Sequence, residues 1–195
     1  MALSRSLAQA IAVLAFVAAP VVADNSRAEI QHTVDPKTNI ESWQMHDNGI
    51  EVTLIQISPD QARGFFLARG FKRADVDYYA ASCVIAAVVR NQSPTPIAYR
   101  LADWRYAKAG GGVARKLKLK EDWLREWKQR GVSQSAQIAF EWSQHPDKQT
   151  LQPGDWNQGM TTYQVPHGSR FDLTVKWKKG ARNYEDTIRG IRCAD

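Results

Sequence analysis

Cys83-Val84-Ile85-Ala86-Ala87-Val88-Val89-Arg90-Asn91 is the stretch that decides the fold. It is the longest uninterrupted apolar run outside the N-terminus, it carries two β-branched pairs, and it stops at the turn-forming string Asn91-Gln92-Ser93-Pro94. Such a run, bounded by a turn, predicts a strand buried on both faces instead of a half-solvated one. Its first residue, Cys83, has a single partner available in the sequence, Cys193, two residues from the C-terminus. The expectation is a central sandwich strand joined to the last strand by a Cys83–Cys193 disulfide. Closing a loop on the order of a hundred residues contributes roughly 4.7 kcal/mol by the chain-entropy argument. Without a Cys-x-x-Cys spacing, the bond reads as a staple and not a redox centre.

Toward the N-terminus, Trp43, Met45, Ile50, Val52, Leu54 and Ile57 alternate around Asp47-Asn48-Gly49, a strand, tight turn and strand within residues 42–57. Ser58-Pro59-Asp60 starts a helix that Gly70 ends, and Val76, Tyr79, Ala80 and Cys83 make an apolar stripe, so a helical hairpin is predicted near 59–82. Phe65, Phe66, Phe71, Tyr78 and Tyr79 are assigned to core contacts. Residues 24–41 are polar and aperiodic and read as a flexible arm.

Toward the C-terminus, Ile97–Tyr106 and Ala114–Leu119 read as strands around the Gly110-Gly111-Gly112 tip, and 121–130 as a helix with Trp123 and Trp127 on one face. Ile138, Phe140 and Trp142 alternate as in a strand, followed by strands over Trp156–Val165, Phe171–Trp177 and Tyr184–Cys193 with turns between them. Evenly spaced strands of this kind indicate an antiparallel sandwich. Trp43, Trp123, Trp127, Trp142 and Trp177 fall at positions this patterning buries, leaving Trp104 and Trp156 exposed.

The run Leu151-Gln152-Pro153-Gly154-Asp155, then Gly159-Met160-Thr161-Thr162-Tyr163, then Val165-Pro166-His167-Gly168-Ser169-Arg170-Phe171-Asp172-Leu173 resembles the terminal half of bacterial extracytoplasmic immunoglobulin-like accessory domains. The resemblance covers the C-terminal third and the core strand. It implies a mainly β, immunoglobulin-like antiparallel sandwich over 42–195, interrupted by helical insertions, and carries no activity with it.

Residues 1–23 have the form of a cleavable secretory signal: Arg5, an apolar stretch from Leu7 to Ala19, and Val21-Val22-Ala23 as cleavage site. The expected location is the periplasm. The remainder is the size of one ordinary domain. The formal net charge of +6, one unit of it on Arg5, suits loose attraction to acidic partners or a weak contact with an anionic membrane surface, and is too diffuse for nucleic acid.

No catalytic motif is present: no Gly-x-Ser-x-Gly, no His-Glu-x-x-His, and no phosphate-binding glycine loop. Enzymatic activity is therefore not expected. Two binding readings remain. The first is an accessory protein acting on another envelope protein through the basic stretch Arg115–Arg130, where Arg115, Lys116, Lys118, Lys120, Arg125 and Lys128 interleave with Leu117, Leu119, Trp123 and Trp127. The alternative is copper binding or delivery, with Met45, His46, His145, Met160 and His167 as soft and borderline ligands. A carbohydrate surface built on the seven tryptophans ranks behind both.

Overall fold

The computed structural model describes residues 28–195, so the expected signal segment lies outside the described residues. Two strands, β2 (Glu41–Asp47) and β3 (Ile50–Ile57), form a hairpin joined by Asn48 and Gly49, with φ of 45° and 87°. Two successive left-handed residues make the tight turn whose twist matches that of the strands. Gly49 is required twice over, since a Cβ there would meet the Ser93 Cβ at 2.5 Å.

The hairpin is the centre of a five-stranded antiparallel sheet in the order β1–β2–β3–β4–β9, with β1 (Glu29–Val34), β4 (Cys83–Asn91) and β9 (Trp156–Tyr163). A second antiparallel sheet is built on β10 (Arg170–Lys179). One edge of β10 pairs with β11 (Arg182–Arg192); along the other lie β5 (Ile97–Arg100) and β6 (Arg105–Lys108), flanked by β8 (Lys148–Leu151) and β7 (Arg115–Lys116). The protein is thus a β-sandwich with added helices.

Two cores follow from this arrangement. Between the sheets, Trp43, Met45, Ile85, Val89, Tyr99, Trp104, Leu173 and Trp177 are buried. On the outer face of the first sheet lie α1 (Pro59–Leu67), α2 (Arg73–Ala80), α3 (Lys120–Gln129) and α4 (Gln134–Ser143). Phe66, Phe71, Tyr79, Trp123, Trp127 and Phe140 form the core there, against Val84 of β4. The strand Cys83–Asn91 is covered by the second sheet along one face, but the helices bury only Val84 on the other, where Ala86, Val88 and Arg90 are partly exposed, so the expectation of burial on both faces holds only at its start. The start of α1 is as read from Ser58-Pro59: Ser58 Oγ accepts from the Gln61 amide at 3.2 Å while Gln61 Oε1 accepts from the Ser58 amide at 2.8 Å. Among the described residues no helix is long and apolar enough to cross a membrane.

Several expectations are corrected. The arm contains β1, whose six residues pair with β2 from Glu29↔His46 to Val34↔Glu41. The alternation Ile138, Phe140, Trp142 lies in α4, not in a strand: Ser133 caps the helix, Ala136 and Phe140 bury one side at four-residue spacing, and Ile138 and Trp142 point outward, Trp142 with 85% exposure. Ile97–Tyr106 is broken by a 3₁₀ turn at Leu101–Asp103. That turn brings Trp104 inside, where its Nε1 donates to the Lys176 carbonyl at 3.1 Å, so Trp104 and Trp142 exchange their expected places. Of Ala114–Leu119 only Arg115–Lys116 forms a strand, and Lys118 bridges to Thr162 on the free edge of β9.

Candidate functional site

Of the five residues considered as copper ligands, His145 and Met160 are neighbours, while Met45, His46 and His167 lie in separate environments. Met45 is fully buried between the sheets, while its neighbour His46 faces the other way, with Nδ1 3.7 Å from Glu51 Oε2. Alternation along β2 separates them. Met160 belongs to the helical core, where its sulfur accepts from the Tyr79 hydroxyl at 3.9 Å. His145 is buried between α4 and β8; its backbone amide donates to the Met160 carbonyl at 3.0 Å. His167 sits in the turn between β9 and β10, at the opposite end of β9 from Trp156. Among the described residues no group of three or more His, Cys, Asp or Glu could hold a metal ion.

The expected disulfide partners do meet. Cys83 opens β4 and Cys193 follows β11; both are buried free thiols, close to one another but beyond bonding distance.

The basic stretch does not form one open patch. Lys118 Nζ lies 3.4 Å above the Trp123 ring and 2.6 Å from Glu126 Oε2. Lys120 pairs with Glu141 at 3.5 Å, and Arg125 pairs with Asp122 one turn earlier. Arg115 reaches the Gln164 carbonyl at 3.4 Å. Lys116 and Lys128 are exposed, one on β7 and the other on α3. Internal pairing thus satisfies the cations nearest the aromatic packing.

A different surface is better formed. On β10, Trp177 points inward opposite Tyr99 of β5 and Tyr184 of β11, which places Lys176 and Lys178 on the solvent side with Ala98, Arg100 and Glu185. A cleft of about 620 Å³ lies there, lined among others by Ala98, Arg100, Asp103, Lys176, Lys178 and Glu185. Its walls are ion pairs. Arg100 forks onto Asp103 with Nε–Oδ2 at 2.9 Å and Nη2–Oδ1 at 3.0 Å, and Lys176 Nζ is 2.7 Å from Glu185 Oε2. The Arg100 hydrogen bonds hold the Asp103 carboxyl below the usual carboxylate range. Exposed pairs of this kind add little stability but orient long side chains. Lys178 has no ion-pair partner among the described residues, and its charge is the one left over at this cleft.

Sequence reasoning located the strand Phe171–Trp177 but missed this cleft. Its residues come from three strands and a turn that become neighbours only because β10 is threaded between β5 and β11. No family model, no curated protein and no solved structure matches this chain.

Proposed function

We propose that this protein is a non-enzymatic periplasmic binding module, an accessory to another envelope protein, and that its partner docks on the solvent face of the second sheet. The observation that carries the reading is the preformed cleft over β5, β10 and β11, whose charges are paired within the walls except at Lys178. A surface with one uncompensated cation favours a partner that presents a carboxylate. The immunoglobulin-like reading belongs to the same proposal. It is supported by the Pro153-Gly154 and Pro166-His167-Gly168 turns, which lie at strand ends of the sandwich.

A photo-crosslinking residue in place of Asn183, at the cleft, should give one dominant protein adduct in the producing cell, and the same residue in place of Arg125 on α3 should give none. Reversing the free charge with Lys178→Glu should reduce the Asn183 adduct by about tenfold, equivalent to roughly 1.4 kcal/mol. Equal adducts from both faces, or an Asn183 adduct indifferent to Lys178→Glu, would reject the cleft as the docking surface.

A further inference from the structure

At the end of the sandwich where β4 begins and β11 stops, three reactive side chains converge: Cys83, Cys193 and His167. The thiols are 0% and 1% exposed and lie close to one another. His167 Nδ1 is 3.6 Å from Cys193 Sγ and 2.9 Å from the Ala194 carbonyl oxygen, while Nε2 is 3.0 Å from the Ala80 carbonyl oxygen. A carbonyl oxygen only accepts. Both ring nitrogens thus face main-chain carbonyl oxygens, which hold the imidazole in place beside the Cys193 sulfur. Main-chain bonds fix that sulfur's position: the Cys193 amide donates to the Ser169 carbonyl at 2.9 Å and the Gly168 amide to the Cys193 carbonyl at 3.2 Å.

The two thiols are thereby made unequal. Donation from the Cys83 S–H lowers the Cys193 thiol, and His167 lowers it further against the effect of burial; the same bond, with burial, pushes Cys83 up. A cleft of about 470 Å³, lined by Ser58, Arg63, Asp77, Ala80, His167 and Asp195, opens next to the imidazole and the chain end that cover Cys193.

From this geometry we infer that Cys193, Cys83 and His167 form a directional thiol–disulfide exchange site, in which Cys193 attacks an incoming small disulfide and Cys83 resolves the product. In the first step the Cys193 thiolate bonds to one sulfur of R–S–S–R, and the departing R–S⁻ takes up the proton that Cys193 released. In the second, Cys83 loses its proton, attacks the Cys193 sulfur and expels the second R–S⁻, which takes up that proton. Two protein thiols are oxidised and one external disulfide is reduced to two thiols; no further oxidant is needed. The product bond joins the first sheet to the end of the second. This site does not rest on the partner-binding cleft, which is lined on β11 by Asn183, Tyr184 and Glu185, at the other end of the strand from Cys193.

The test uses the full reduced chain and oxidised glutathione, followed by peptide mass mapping. Wild type should lose two hydrogens with no lasting adduct. Cys83→Ser, which keeps a hydroxyl donor to Cys193, should accumulate a glutathione adduct at Cys193. Cys193→Ser should acquire its adduct at Cys83 about tenfold more slowly, because the thiolate is the attacking species. In the Cys83→Ser background, His167→Gln should slow adduct formation by about tenfold and shift its rate profile to higher pH, a change that lost packing alone does not produce. Limiting iodoacetamide on folded wild type should mark Cys193 before Cys83, which tests the order without any substitution. Equal labelling of both thiols, faster reaction at Cys83, or a pH profile unmoved by His167→Gln would overturn the assignment.

Discussion

Gly159→Ala should destabilise the fold by about 3 kcal/mol or more, lowering the melting temperature by roughly 10 °C. A Cβ at Gly159 would stand 2.2 Å from the His145 amide nitrogen and 2.4 Å from both Gln144 C and His145 Cα. These are backbone atoms, so no rotamer change relieves the contact. Neither side can retreat: Gly159 is in register with Ala87 of β4, and His145 is held by its amide bond to the Met160 carbonyl. The glycine has no left-handed φ to account for it, so the cost is close approach alone. Gly64→Ala in α1 is the matched control. Nothing lies within 4 Å of its added Cβ, and replacing a mid-helix glycine should stabilise by about 0.5–1 kcal/mol. Thermal and denaturant unfolding of the two variants provides the check; a Gly159→Ala loss below about 0.5 kcal/mol would show that the α4–β8 connection yields.

The second large effect is a loss of stability in acid traceable to His145. Burial lowers this histidine from 6.5 to about 4, outweighing the opposing contact of Nδ1 with the Pro146 carbonyl at 3.2 Å. Nε2 is buried with no hydrogen-bond partner in the structure. A proton added there would be a charged donor out of reach of water. The unfolded chain accepts that proton below about pH 6.5 and the folded chain only near pH 4. The stability contributed by the neutral ring is therefore complete above pH 6.5 and lost progressively as pH falls to about 4. A shift of this size corresponds to about 3 kcal/mol. Asp147 and Asp47, whose carboxyls are raised chiefly by burial, act in the opposite sense, because the fold accepts their protons early on acidification. The contribution of His145 is thus read as the difference between the unfolding free energies of wild type and His145→Gln across the acid range. Parallel profiles for the two proteins would contradict it.

The physical range of each signal explains what could be read from the chain. Alternation in β2 and β3, the Asn48-Gly49 turn and the Ser58-Pro59 helix start depend on residues a few positions apart, and the structure contains all three. The misreading at Ile138, Phe140 and Trp142 has the same local origin. Three apolar residues at spacing two also fit a helix whose Ala136 and Phe140 face inward, and the choice rests on whether a neighbouring surface covers that side. Here the outer face of the first sheet does, with Phe66, Tyr79 and Trp127 around Phe140. Trp104 and Trp142 were exchanged for the same reason, since an aromatic side chain has no exposure of its own until its neighbours are placed.

The candidate sites divide along the same line. That Cys83 and Cys193 come near one another was legible because a two-cysteine chain leaves one combination, whereas the His167 contact, spanning a turn and the chain end, was not. Of the copper ligands chosen by residue type alone, only His145 and Met160 adjoin, and strand alternation and burial separate the rest. The basic stretch 115–130 was legible as charge, but its neutralisation by Glu126, Glu141 and Asp122 required the helices to be in place. Local pattern and composition by themselves determined a β-sandwich with helical insertions, its core strand Cys83–Asn91 and most of its turns. Tertiary structure alone decided which apolar faces are covered, which cations remain free and which distant side chains meet, because those properties belong to pairs of segments brought together by sheet topology and not to any one segment.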